Sequence, residues 1–198
     1  LLAATRRLRQ GALLAKDLES VIGKLGFAAG VICGGRTYLH RLLVALHGAL
    51  DSGAMELTLG ADALLDVAWW ERVLSSPVHG SRFFTSEHPT PVVTIKSDAS
   101  GHIGWEYTHD GDVYWSRWSP STANDLHIQY KELVALVHAC TEHVGSFQNR
   151  VVRFGCDNAA VCYAVNKQTS SCPFMMHLLR QLADLQLHHN FTVVAVHV

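Results

Sequence analysis

The sequence predicts a mixed α/β domain, a five-stranded sheet in the order β-β-β-α-β-α-α-β, preceded by a small all-α segment. Three observations predict it. Apolar residues recur at helical spacing through residues 1–80 and at strand spacing from Val92 onward. His109-Asp110-Gly111-Asp112 supplies an Asp-Gly hairpin signal between two strand-like runs. A long helical pattern then separates that hairpin from a further strand, and a strand reached through a helix implies a right-handed crossover and a parallel pair.

In the first segment, Leu14, Leu18, Val21, Ile22 and Leu25 form one helical stripe, broken by Gly26 and the Gly30/Gly34/Gly35 group. Leu39, Leu42, Leu43, Leu46 and Leu50 mark a second helix. A third is expected from about Leu59 to Leu74, capped by Thr58 and burying Leu64, Leu65, Ala68, Trp69 and Val73. Arg6, Arg7, Arg9 and Lys16 form a basic cluster, read first as a solvated helix face. Between Pro77 and Pro91 the composition shifts to Ser, His, Gly and Pro, which resist helix and mark the boundary between a helical segment at 1–85 and a second domain at 92–198.

In that second domain, strands are expected at Val92–Ser97, Ile103–Thr108 and Val113–Trp118, followed by a helix over roughly Ile128–Phe147 with Leu133, Leu136, Val137, Cys140 and Val144 inward. Glu132 falls at the margin of that stripe. A strand from Val151 ends at Asp157, a short helix covers Ala159–Lys167, another runs from Pro173 to about Leu187, and a last strand covers Phe191–Val196. Asp110 and Asp112 are assigned to turn chemistry.

Composition excludes several classes. With 48% hydrophobic and 17% charged residues the chain is globular, and a net charge of −1 gives no basic field to announce a nucleic acid. No apolar run reaches the roughly 18–20 residues of a membrane span. The five cysteines form no CxxC pair, which argues against a zinc or disulfide framework and for a reducing, intracellular setting. The 13 histidines are dispersed and are expected at surfaces and helix ends. Leu1 opens without a charged start and apolar block, so no signal peptide is expected and the sequence reads as a piece of a longer protein.

The chemistry lies in acids at strand ends. In Ile95-Lys96-Ser97-Asp98-Ala99-Ser100-Gly101-His102-Ile103-Gly104-Trp105 a strand delivers a carboxylate, and Gly101 and Gly104 leave the backbone beside it free for close approach of a sugar-phosphate chain. The crossover places the Asp157 strand parallel to, and beside, the Asp98 strand, so both acids reach the carboxyl edge of the sheet where α/β ligands bind. Glu132, near the start of the connecting helix, leans over the same edge. Three converging carboxylates repel unless a divalent cation joins them, and an all-oxygen set suits Mg²⁺ or Mn²⁺. Two such ions about 3.5–4 Å apart serve in-line phosphoryl transfer.

These residues also carry a resemblance. The stretch Ser97–Trp105, Tyr130-Lys131-Glu132-Leu133-Val134-Ala135-Leu136, Cys156-Asp157-Asn158-Ala159-Ala160-Val161 and Asn166-Lys167-Gln168 resemble the ribonuclease H domain of retroelement reverse transcriptases, with the flavour of DIRS-type, tyrosine-recombinase retrotransposons. Upstream, Lys24-Leu25-Gly26-Phe27-Ala28-Ala29, Gly35-Arg36-Thr37-Tyr38-Leu39 and Asp66-Val67-Ala68-Trp69-Trp70 resemble the thumb and connection that follow the polymerase palm. The likeness covers nearly the whole chain in the right order.

The resemblance implies a ribonuclease H-like fold that cleaves the RNA strand of RNA·DNA hybrids, with the polymerase domain of the same polyprotein as partner. Carried over, Asp98, Glu132 and Asp157 match the first three metal-binding acids. Ser100, Gly101, Gly104, Asn158, Asn166, Lys167 and Gln168 stand at positions expected to meet nucleic acid. The family's fourth acid follows a His-Val-Pro-Gly-like turn after the last strand, and the sequence stops at Ala195-Val196-His197-Val198 where that turn should begin, so weak metal binding and poor or no cleavage are expected. His197 matches the histidine that opens the turn, and Gln129 stands where many relatives carry Asn. Two other readings share the fold: a catalytically inactive nucleic-acid-binding module, and an integrase or transposase nuclease core.

Overall fold

The computed structural model describes residues 1–76 and 92–198, so the Pro77–Pro91 boundary segment lies outside the described residues. The chain divides into two compact units, Leu1–Phe84 and Thr85–Val198.

The first unit comprises α1 (Leu2–Arg7), α2 (Ala15–Ala28), α3 (His40–Asp51) and α4 (Ala61–Ser75), with a 3-10 turn at Thr37–Leu39. It is not purely helical. Two-residue strands β1 (Leu13–Leu14) and β2 (Glu56–Leu57) pair antiparallel, which draws Leu14 out of the α2 stripe and leaves it exposed, while Leu18, Val21, Ile22 and Leu25 are buried as their spacing predicts. Leu42 and Leu46 of α3 are buried and Leu50, at its last turn, is exposed.

Helix α4 departs further from expectation. Gly60 occupies its N-cap position with no side-chain cap, so Thr58 does not cap it. Its buried face runs through Ala63, Asp66, Val67, Trp69, Trp70 and Val73, and Leu65 is left 61% exposed. The stripe turns toward Asp66 because Arg41 of α3 lies 3.2 Å from its carboxylate, giving a fully buried acid the partner it needs. Trp69 stacks on Tyr38 at 4.1 Å, and the Trp70 indole N–H donates to the Tyr38 carbonyl at 3.1 Å. Arg41→Ala leaves the buried Asp66 charge without its guanidinium and is expected to cost on the order of 3 kcal/mol, measured by urea denaturation. Asp66→Asn, which removes the charge with its partner in place, is expected to cost less.

The second unit is the α/β sheet domain. Its strands are β3 (Val92–Ala99), β4 (Gly104–His109), β5 (Asp112–Arg117), β6 (Val151–Cys156) and β7 (Thr192–His197), in spatial order β5-β4-β3-β6-β7. β3, β4 and β5 are antiparallel neighbours; β6 is parallel to β3 and β7 parallel to β6. This is a ribonuclease H-like fold. The hairpin turns at Asp110 and Gly111, whose φ values of +52° and +92° give the primed turn that an Asp-Gly pair favours.

The helices are α5 (Pro120–Asp125), α6 (Ile128–Glu142), α7 (Val144–Phe147), α8 (Ala159–Lys167) and α9 (Pro173–His189). α6 lies on β3 and β4 and against α9, while α8 packs on β7. The core gathers Ile95, Tyr107, Leu133, Leu136, Phe147, Phe154, Val161, Leu179 and Phe191. The single helix expected over Ile128–Phe147 is interrupted at His143, whose backbone leaves helical geometry between α6 and α7. Beside that break, His109 is buried against His143 and Phe147 instead of lying in the turn or at a surface.

Along β3 the residues alternate. Val93, Ile95 and Ala99 face the helices, and Val92, Thr94, Lys96 and Asp98 face the other way and are exposed. No helix among the described residues is long and apolar enough to cross a membrane.

Candidate metal centre

Three acids reach one edge of the sheet by different routes. Asp98 is the penultimate residue of β3, Asp157 immediately follows β6, and the parallel pairing of β3 with β6 brings these strand ends to the same side. Glu132 comes from the second turn of α6, which crosses the sheet above β3.

Glu132 is the pivotal group. It is only 2% exposed, not marginal to the buried stripe, and its Oε1 accepts the Ala99 backbone N–H at 3.1 Å. Its Oε2 faces the Cys156 Sγ at 3.8 Å. Burial pushes the Glu132 carboxyl up to about 7, the nearby charges of Asp157 and Asp98 push the same way, and the Ala99 and Cys156 hydrogen bonds partly offset them. No basic side chain among the described residues forms an ion pair with it.

The ligand atoms of Glu132, Cys156 and Asp157 lie within 4.8 Å of one another, a spacing that one cation could span. The donors fit a divalent ion: two carboxylates, one of them exposed, beside a buried thiol. Asp98 lies outside that tight group. Its side chain lines the open face of the sheet in a groove of about 290 Å³ with Ser100, Gly104, Glu106, Trp115 and Arg117. Glu106 stands directly across the ladder from Asp98, so like charges face each other there.

The other positions singled out by sequence are engaged within the fold. Ser100 Oγ accepts the N–H groups of Ile103 (2.7 Å) and Gly104 (3.0 Å), shaping the loop after β3. The Gly101 carbonyl accepts from Lys131 Nζ, and nothing lies within 4 Å of where a Cβ on Gly101 would project. Gly104 is required by the sheet, because a Cβ there would come within 2.0 Å of the Ser116 carbonyl oxygen. Asn158 caps α8, accepting from the Ala160 and Val161 N–H groups. Asn166 is bonded to both backbone groups of Ala195, at 2.8 and 2.9 Å, and pins α8 to β7. Lys167 Nζ sits 5.9 Å from the Tyr163 ring centroid, and Gln168 ends α8 in the left-handed region at φ +58°. His197 Nε2 lies 2.9 Å from the Asp157 carbonyl oxygen.

Sequence reasoning missed two residues. Cys156 is fully buried, and its signal was present: Val152, Phe154 and Cys156 alternate inward along β6, which aims the thiol at the α6 side where Glu132 enters. Lys131, 2% exposed, donates to the carbonyls of Gly101 and Ala123 and lies 5.9 Å from the Trp118 ring centroid, bracing the loop beside Asp98. No signal marks it, since a helical lysine is ordinarily solvated.

No family model and no curated protein matches the sequence. Among solved structures, a foamy viral protease-reverse transcriptase in complex with double-stranded DNA aligns at 12% identity and TM-score 0.36, over 99% of this chain and 35% of that one. Foamy viral protease-reverse transcriptase in complex with an RNA/DNA hybrid aligns at 13% identity and TM-score 0.35, over 98% of this chain and 26% of that one. The native prototype foamy virus protein aligns at 13% and 0.35, over 91% and 24%. The chain therefore spans about a third or less of these solved chains. At these scores the likeness carries no argument about activity, and it gives no support for a DIRS-type element.

Proposed function

We propose that this chain is a divalent-metal-dependent nuclease unit that hydrolyses the RNA strand of an RNA·DNA hybrid, as the ribonuclease H part of a reverse transcriptase polyprotein. The observation that carries the reading is the buried Glu132 carboxylate, its pKa pushed up to about 7 chiefly by burial and further by the charges of Asp157 and Asp98, with no basic ion-pair partner among the described residues. A fold tolerates such an uncompensated acid at a price in stability, and perturbed acids of this kind cluster at functional sites. In this reading residues 1–85 are a thumb- or connection-like segment beside the polymerase domain.

Glu132 and Asp157 would hold the cation, and Asp98, at the neighbouring strand end, would extend the acidic edge toward the open groove. When bound, it would lower the pKa of water at the site and offset charge on a phosphate oxygen. The chain's own residues do the rest. The Ala99 N–H fixes one Glu132 oxygen and leaves the other turned toward Cys156. Ser100, Lys131 and Trp118, whose indole N–H donates to the Ser100 carbonyl at 2.8 Å, hold the loop after β3 in place. The groove on the open sheet face, with Arg117 and the 68% exposed Trp115, offers a cation for phosphate and an aromatic face for a sugar or base.

The test is cleavage of a labelled RNA·DNA hybrid with Mg²⁺ or Mn²⁺, alongside double-stranded DNA. Hybrid cutting is expected of the full-length protein, with Asp98→Asn and Asp157→Asn each lowering the rate at least about 100-fold. Cutting unchanged in both variants sinks the reading. Metal-independent, salt-sensitive duplex binding without cutting points instead to a binding module.

A further inference from the structure

The donor set at the sheet edge is not all oxygen. Cys156 brings a sulfur to within 3.8 Å of Glu132 Oε2, and Cys156, Glu132 and Asp157 together satisfy a 4.8 Å ligand spacing that Asp98 does not share. The thiol is held in place. Cys156 is the last residue of β6, fully buried, paired in register with His197 of β7, and its Sγ accepts the Asn158 N–H at 3.4 Å. Asp157, the next residue, is exposed and opens the group to solvent.

We propose that Cys156, Glu132 and Asp157 form a thiophilic cation site, which takes Zn²⁺ or a metal of similar softness through the Cys156 sulfur and competes with the hard cation of the nuclease reading. Thiolate ligands select Zn²⁺ and its softer relatives, whereas carboxylate-only sets suit Mg²⁺ and Mn²⁺. Placing the sulfur beside two carboxylates shifts the preference of the same edge. Binding forms a metal–sulfur bond and breaks the S–H bond, with the thiol proton released to solvent; no electron is transferred. Zinc in excess would thus occupy Glu132 and Asp157 and inhibit any chemistry that needs them. The identity of the competing site rests on the proposed function, but the thiophilic site itself does not.

The experiment is titration of the reduced 198-residue protein with Co²⁺ as an optical probe for Zn²⁺, reading the ultraviolet thiolate-to-cobalt charge-transfer band, followed by displacement with Zn²⁺. A saturable band that Zn²⁺ abolishes is expected. Cys156→Ser should remove the band and weaken Zn²⁺ by at least the 10–100-fold lost when even an outer partner of a metal ligand is removed. Asp157→Asn, at an exposed position, should weaken it without disturbing the fold, while Cys140→Ser and Cys162→Ser should retain the band. Cobalt binding without a charge-transfer band in the unaltered protein overturns the proposal whatever the variants do, as does a band that persists in Cys156→Ser. Mn²⁺ titration separates the two ideas: a band with no Mn²⁺ binding keeps this site and removes the nuclease reading, and Mn²⁺ binding with no band does the reverse.

Discussion

Gly104→Ala is expected to destabilise the sheet domain by at least about 3 kcal/mol, among the larger effects of a single methyl group. The added Cβ would lie 2.0 Å from the Ser116 carbonyl oxygen, 3.0 Å from its carbon and 3.1 Å from the Arg117 Cα. All three are backbone atoms of β5, so no side chain can swing aside. Relief requires β4 and β5 to part where Gly104 pairs with Arg117, which also breaks the Trp118 N–H bond to the Ile103 carbonyl at 3.0 Å. That separation would loosen the loop that Ser100 and Lys131 hold beside Asp98. Gly101→Ala, three residues earlier and with open space around its Cβ, is the control and should change stability by less than about 0.5 kcal/mol. Urea denaturation followed by circular dichroism distinguishes them, and equal effects would contradict the packing argument.

Glu132→Gln should stabilise the metal-free protein at pH 8 by on the order of 2–3 kcal/mol and do little at pH 4.5. The folded-state pKa of Glu132 is raised to about 7 from an ordinary 4.5, chiefly by burial, so the native state holds this proton more tightly than the unfolded chain. Stability is therefore highest below about pH 4.5, falls as pH rises through that window, and stays reduced above pH 7. The amide keeps an acceptor for the Ala99 N–H and carries no charge, which removes the penalty where the carboxyl would be ionised. Unfolding measured from pH 4.5 to 8 should show the two proteins diverging over that interval. A difference independent of pH would mean that the carboxylate is not strained in the folded state.

Much of this architecture is legible in the residues themselves. Asp110-Gly111 announces its turn, the parallel placement of β6 beside β3 follows from crossover handedness, and Ala159–Lys167 forms a helix over the expected span. The α5 helix carries its own local signal, absent from the expected elements above: Ser119 caps it, accepting the Thr122 N–H at 3.2 Å, and Pro120 occupies its first turn. The buried face of α4 was not legible, because it depends on an ion pair between residues 25 positions apart, Arg41 and Asp66. At the site, local pattern indicates which acids reach the sheet edge, but not that Glu132 is buried while Asp98 faces an open groove. Those facts come from how α6 seats across β3, a tertiary outcome that no spacing encodes.

The account turns on whether that sheet edge holds a divalent cation through Glu132 and Asp157. Calorimetric titration of Mn²⁺ into the protein at pH 6.5, repeated in buffers of different ionisation enthalpy, measures this directly. Saturable binding that releases protons from Glu132 is predicted, with proton release lost in Glu132→Gln and affinity weakened in Asp157→Asn. No saturable binding, or binding and proton release unchanged in both variants, would contradict it.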